Sequence, residues 1–343
     1  MFYTRRVMVI IFLFIFLIIS IILSTAIGAA EISFRTAGDI IIGQAFGFNF
    51  SEVEATYETI IWEIRLPRVV LAFFVGASLA MAGAAFQGLL QNPLADPYTI
   101  GVSSGAAVGA TIGFLLPAVA FIPRLLTIPI FGFLGGGLAL FVVYQMARIG
   151  GKVPVVTLLL AGVVVSSFLS AVISMLMIFS GEALHGIFFW LAGGLSGRGW
   201  GHVGIMIPYF LLGGIVLFYF SRELNVLLAG EETALSLGIE VEKVKRNILL
   251  AASLVTAAAV SVSGMIGFVG LIIPHAVRIV IGPDHRFLLP SSILTGGIFL
   301  LWADAFARTV LAPGEIPVGI ITAFLGAPFF MYLLRKKRHD FKF

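Results

Sequence analysis

The run Ile248-Leu-Leu-Ala-Ala-Ser-Leu-Val-Thr-Ala-Ala-Ala-Val-Ser-Val-Ser-Gly264-Met-Ile-Gly267-Phe-Val-Gly270-Leu-Ile-Ile-Pro274-His-Ala-Val-Arg278-Ile-Val-Ile-Gly282 has Arg278 as its one formal charge. Apolar runs of such length belong in a bilayer. As one helix, its roughly 35 residues would be about 52 Å long at about 1.5 Å per residue. That is too long for one crossing of a hydrocarbon layer about 30 Å thick and tight for two. Gly264, Gly267 and Gly270 with Pro274 weaken helix continuity, so the run divides into two short helices with a break near the glycines. Every later segment keeps or flips its side of the membrane according to that break.

Outward from it, the chain reads as one transmembrane domain over 1–343. Hydrophobic residues make up 60% and charged residues 11%, with mean hydropathy +1.11, against about 45–50% and about 25% in soluble domains. Apolar runs place further helices at 7–27, 64–90, 98–116, 125–147, 155–179, 202–220, 287–310 and 317–334, which with the divided run makes about ten spans. The start, Met1-Phe-Tyr-Thr-Arg-Arg6, resembles a signal peptide, and Ala26–Ala30 has the composition of a cleavage site. The apolar run Val7–Leu23 is nevertheless longer than a signal core of about 7–15 residues, so a retained first helix is expected. The stretch 31–59 is polar, and Ser221–Arg246 is the one long hydrophilic segment of the second half.

Basic residues then orient the chain. With the N-terminus inside, fourteen Lys and Arg lie on the cytoplasmic side and six outside, which predicts cytoplasmic termini. Without the break in 248–282, the Arg335-Lys-Lys-Arg338 tail would fall outside. Phe86-Gln-Gly-Leu89 before Pro93 echoes Phe268-Val-Gly-Leu271 before Pro274. This weak signal allows an inverted repeat of helices 2–5 and 7–10, an arrangement that in transporters points to the substrate path.

Several chemistries are excluded. No phosphate-binding G-x-x-x-x-G-K-[ST] occurs, so the chain does not itself hydrolyse ATP. Five scattered histidines and no cysteine offer no metal site, and no catalytic triad is evident. The net charge of +4 fits basic cytoplasmic loops better than nucleic-acid binding. Within spans, His275, Arg278 and Asp304 are the ionisable residues. Asp304 stands four residues before Arg308, a helix pairing distance, and this favours structural roles. Little remains to couple an ion gradient, so the energy is expected to come from elsewhere.

Residues 227–240, Leu-Leu-Ala-Gly230-Glu-Glu-Thr-Ala-Leu-Ser-Leu-Gly238-Ile-Glu, are unusually apolar for a cytosolic loop. Glu231 and Glu232 complement a helix start and Gly238 a helix stop, which gives a short helix suited to a partner groove or to packing on its own bundle.

The motifs Arg65-Leu-Pro-Arg68, Asn92-Pro-Leu-Ala-Asp-Pro97, Gly101-Val-Ser-Ser-Gly105, Leu158-Leu-Leu-Ala-Gly162, Gly267-Phe-Val-Gly-Leu-Ile-Ile-Pro-His275, Gly282-Pro-Asp-His-Arg286, Ala303-Asp304 with Arg308, and Gly326-Ala-Pro328 resemble permease subunits of type II ABC importers. Such permeases carry iron–siderophores, haem or cobalamin. The resemblance covers residues 60–335 and implies ten helices per subunit in a bacterial or archaeal cell membrane. It implies a second permease subunit around a central pore, expected as a homodimer, with two cytosolic ATPases, an extracytoplasmic binding protein and no cofactor. By motif, Gly230, Glu231, Glu232, Ala234, Leu235 and Gly238 correspond to the helix that couples to the ATPase. Asn92 and Leu94 match a cytoplasmic gate, and Arg65, Arg68 and Arg308 match docking positions for acidic side chains of the binding protein. Val153–Thr157, where a second gate is expected, lacks the hydroxyl-rich run of some relatives and is left unassigned. The competing function class is a stand-alone secondary carrier or channel.

Overall fold

The structure, a computed structural model, describes residues 2–28, 30–48, 54–116 and 123–336. The described chain is helical: α1 Phe2–Ala26, α2 Phe34–Phe46, α3 Ala55–Thr59, a π-helical turn Ile60–Arg65, α4 Leu66–Leu89, α5 Val102–Leu115, α6 Arg124–Ala147, α7 Val155–Ile178, α8 Leu184–Leu191, α9 Trp200–Tyr219, α10 Ser221–Leu227, α11 Glu231–Ser236, α12 Val241–Ser263, α13 Val269–Ile281, α14 His285–Ala307 and α15 Val318–Lys336. Among the described residues, seven helical stretches are long and apolar enough to cross a bilayer, and three shorter apolar helices (α5, α13, α15) complete the ten expected segments in order. Of the basic tail, Lys337, Arg338 and Lys342 lie outside the described residues, as does Pro117.

The decisive run does break. α12 ends at Ser263, Gly264 takes φ +70°, and α13 starts after Phe268, which is left-handed at φ +69°. Pro274 lies inside α13 and is not the break. Irregular backbone is tolerated at membrane depth only where protein satisfies it, and here Tyr98 does so. Its hydroxyl donates to the Ile266 carbonyl (2.7 Å) and accepts from the Ile266 N–H (2.9 Å). The Ser263 carbonyl accepts from the Gly194 N–H at 2.8 Å.

α4 is the buried centre, packed against α14, α13, α12 and α9. Small residues make this contact possible. A Cβ on Gly83 would overlap the carbonyl of Gly270 in α13, and one on Gly76 the carbonyl of Gly296 in α14. Close approach at small residues is the usual way helices gain packing energy in lipid, where apolar burial gives no drive.

Helix lengths in the two halves run alike: α4 to α7 have 24, 14, 24 and 24 residues, and α12 to α15 have 23, 13, 23 and 19. The echoing tetrapeptides are not its marker, because one closes α4 and the other opens α13. They instead touch, with Gln87 Nε2 donating to the Leu271 carbonyl at 3.0 Å. Three further corrections concern the connections. The polar 31–59 stretch contains α2, whose Ala37 and Ile40 are buried. α8 adds a helix between the expected spans 155–179 and 202–220, and α12 begins seven residues before Ile248, inside the hydrophilic segment.

Candidate functional site

At the end of the bundle where α4 begins, the π-helical turn sends Arg65 and Arg68 to different partners. Arg65 donates to the carbonyls of Ala26 (2.7 Å) and Ala30 (2.8 Å), closing the C-terminal end of α1 where cations complement the dipole. Arg68 Nε donates to Asp304 Oδ2 at 2.9 Å and its Nη2 to Oδ1 at 3.0 Å. Its Nη1 meets both Glu315 carboxylate oxygens, at 2.9 and 3.0 Å. Arg308 reaches the Ser24 carbonyl and, at 2.9 Å, the Ser24 hydroxyl. Asp304 therefore pairs across to α4, correcting the expected pairing with Arg308. The reason is geometric: the planar Arg68 fork fills both Asp304 oxygens, and Arg308 at the end of α14 is aimed at α1.

All three arginines are buried and internally partnered, at 7, 9 and 7% exposure. As placed here they are not free surface cations, which differs from the expectation for docking residues. Removing one member of such a buried pair costs about 3–5 kcal/mol even where the intact pair adds little.

Beside them opens a cavity of about 680 Å³, lined among others by Arg68, Trp190, Ser196, Arg198 and Glu315. Burial alone would raise the Glu315 pKa, but the Arg68 hydrogen bonds prevail and hold the carboxyl below its ordinary value. Arg198, with Nη1 3.1 Å from His202 Nε2, is held below the ordinary arginine value by burial.

At the opposite end of the bundle, α4 finishes at Leu89 and the chain reverses through Gln91 at φ +49°. Asn92 Oδ1 accepts the Leu94 N–H at 2.9 Å, an Asx turn, and both residues are half-buried. Asp96 caps the following turn by accepting the Tyr98 N–H at 2.9 Å. Burial pushes the Asp96 carboxyl up to about 6 against the pull of that bond.

The short loop helix is present as α11, with a companion α10. Gly230 (φ +105°) and Gly238 (φ +79°) bracket α11, backbone that side chains seldom adopt. The helix has two faces. Ala234 is fully buried and Glu231 pairs with Lys245 at 2.5 Å, while Leu235 and Leu237 are 58 and 66% exposed and Glu232 is exposed. Beside it lies a hollow of about 630 Å³ lined by Arg148, Lys152, Leu235, Glu240, Lys243 and Arg246.

α7 has one further feature. Ser167, Ser170 and Ser174 form an exposed stripe, each hydroxyl donating back to the carbonyl four residues earlier.

The sequence reading missed Glu315, although an acid alone in Pro313-Gly-Glu-Ile-Pro317 is a signal. It also missed Gln91 and the Glu231–Lys245 pair, which no local pattern announces.

A model of the FecCD transport family matches residues 16–336. The chain belongs to this family. A cobalamin import system permease protein, BtuC, of Halobacterium salinarum is 52% identical over 83% of this chain and 76% of its own length. The hemin transport system permease protein HmuU of Yersinia pestis is 37% identical over 92% of each chain. A solved inward-facing ABC transporter described as metal-chelate type matches with TM-score 0.83 and 32% identity, covering 96% of this chain and 99% of its own. As a FecCD permease, the chain is a multi-pass, non-catalytic membrane component of an ABC importer, with ATP hydrolysis on partner chains. Family membership also implies a dimeric permease and a substrate-binding partner.

Proposed function

We propose that two copies of this chain form the pore of an importer for a metal chelate, fed by an extracytoplasmic binding protein and driven by two cytosolic ATPases. The cargo class rests on relatives named for cobalamin, hemin, iron(3+)-hydroxamate and Fe(3+)-citrate. The observation that carries the coupling role is α11, which is anchored by Ala234 and Lys245 yet offers Leu235 and Leu237 to a partner. Gly230, Glu231, Glu232, Ala234, Leu235 and Gly238 constitute this seat, and Asn92 and Leu94 the cytoplasmic gate. The α7 serine stripe suits a wall facing water and cargo, because its back-bonded hydroxyls are satisfied yet polar.

Docking at Arg65, Arg68 and Arg308 takes an altered form. Glu315, about one-third exposed at its side chain, is the accessible edge of the cluster, so an acidic side chain of the binding protein would reach Arg68 by replacing Glu315. Both termini are cytoplasmic. A stand-alone carrier is the weaker reading, because the deeply buried Asp304 is committed to Arg68.

The test is reconstitution with candidate ATPases and binding protein, followed by uptake of cobalamin, hemin and ferric hydroxamate. Leu235→Glu with Leu237→Glu should leave the permease folded, because both side chains face outward, and should abolish ATPase co-purification and uptake. Uptake without any ATPase would sink the proposal.

A further inference from the structure

We infer that Gln91 is the positioning residue that ties the coupling segment to the gate turn, so that movement of α10 and α11 is passed to Asn92 and Leu94. The inference rests on the coupling and gate roles proposed above. Gln91 Nε2 donates to the Leu227 carbonyl at 2.6 Å. Leu227 is the last residue of α10, and its carbonyl also accepts the Gly230 N–H at 3.0 Å, the bond that closes the turn into α11. One carbonyl thus joins the coupling segment to the gate.

Gln91 is also where the gate turn takes its shape. It is left-handed at φ +49°, one of two non-glycine residues with positive φ among the described residues. That conformation is disfavoured for a side-chain-bearing residue, and the side-chain bond to Leu227 helps hold it. Immediately afterwards the Asn92 N–H donates back to the Gln87 carbonyl at 3.2 Å, and Asn92 Oδ1 receives Leu94. If the Leu227 carbonyl moves, the residue that sets the direction of the turn moves with it.

A second contact holds the same end of α4. Asn225 of α10 donates to Asp284 Oδ1 at 2.8 Å and accepts the His285 N–H at 2.8 Å. The His285 ring lies against Gly88, where a Cβ would meet it. The last turn of α4 is therefore held between two attachments of α10, and of these only Gln91 belongs to the gate turn.

The chain has no cysteine, so Leu94→Cys provides one reporter per permease copy, read on the permease band after the labelled subunits are separated. The assembled complex in nanodiscs would be labelled with a maleimide, with and without ATP plus vanadate, in the Gln91, Gln91→Glu, Gln91→Ala and Gln91→Arg backgrounds. Glutamate keeps the shape and loses the donor; arginine keeps a donor. The nucleotide-dependent change in labelling should fall by about fivefold in the Glu and Ala variants, return with Arg, and leave ATP turnover unchanged. A full response in Gln91→Glu or Gln91→Ala overturns this link alone. Loss of ATPase assembly in both variants also overturns it, by making Gln91 a structural residue. No response even with Gln91 in place overturns the gate reading, and this link with it.

Discussion

At the residue scale, the cluster of Arg65, Arg68 and Arg308 shows how a membrane protein affords buried charge: each guanidinium is given carboxylates or backbone carbonyls. Arg68→Met should lower the Tm in detergent by an amount corresponding to about 3–5 kcal/mol, because Asp304 is left buried and alone. Arg68→Met with Asp304→Leu should recover much of that loss, and equal Tm values for the single and double variants would contradict the pairing. An Arg65→Glu plus Arg68→Glu variant is a poor test of docking, since it sets glutamates against carbonyls and carboxylates inside the subunit. Asp96 behaves in the opposite sense. Burial raises its folded pKa from the ordinary 3.8 to about 6, so the folded state holds the proton more tightly than the unfolded state. Stability is then greatest at the acid end and declines as pH rises from about 4 to about 6. Asp96→Asn keeps a capping side chain and should flatten this part of the Tm-against-pH curve; a parallel decline in both proteins would contradict it.

At the element scale, helix crossings were only half legible. The small residues Gly76, Gly83, Gly270 and Gly296 could be read in the sequence, but not which would meet. The structure places Gly83 on Gly270 and Gly76 on Gly296. Gly83→Ala should therefore destabilise by about 1–3 kcal/mol through overpacking. Gly137→Ala in α6 should be neutral or stabilising by up to about 1 kcal/mol, since nothing lies within 4 Å of the added carbon and alanine is the better helix former. Comparable Tm losses in the two would argue against the backbone crossing. α11 was legible because its glycines and exposed leucines are a local pattern. The Gln91–Leu227 bond joins residues 136 positions apart, a separation that hydrophobic periodicity cannot see.

At the scale of the whole molecule, topology is open to direct measurement. In the cysteine-free chain, Asp39→Cys should react with an impermeant maleimide from outside and Glu240→Cys from the cytoplasm. The reverse pattern would invert the orientation and with it the gate and docking assignments. The sequence by itself determined the membrane class, the order of ten apolar segments, the break in 248–282, the lack of a nucleotide-binding motif and the short helix between Gly230 and Gly238. Each of these follows from composition or from residues within a few turns of one another. Only the tertiary structure decided that Tyr98 satisfies the break, that Asp304 pairs with Arg68, 236 positions away, and that the arginines expected at a docking surface are buried. A hydrophobic pattern determines that a segment enters the bilayer. Which charge meets which inside depends on where helices cross, and that is fixed by packing across the whole bundle.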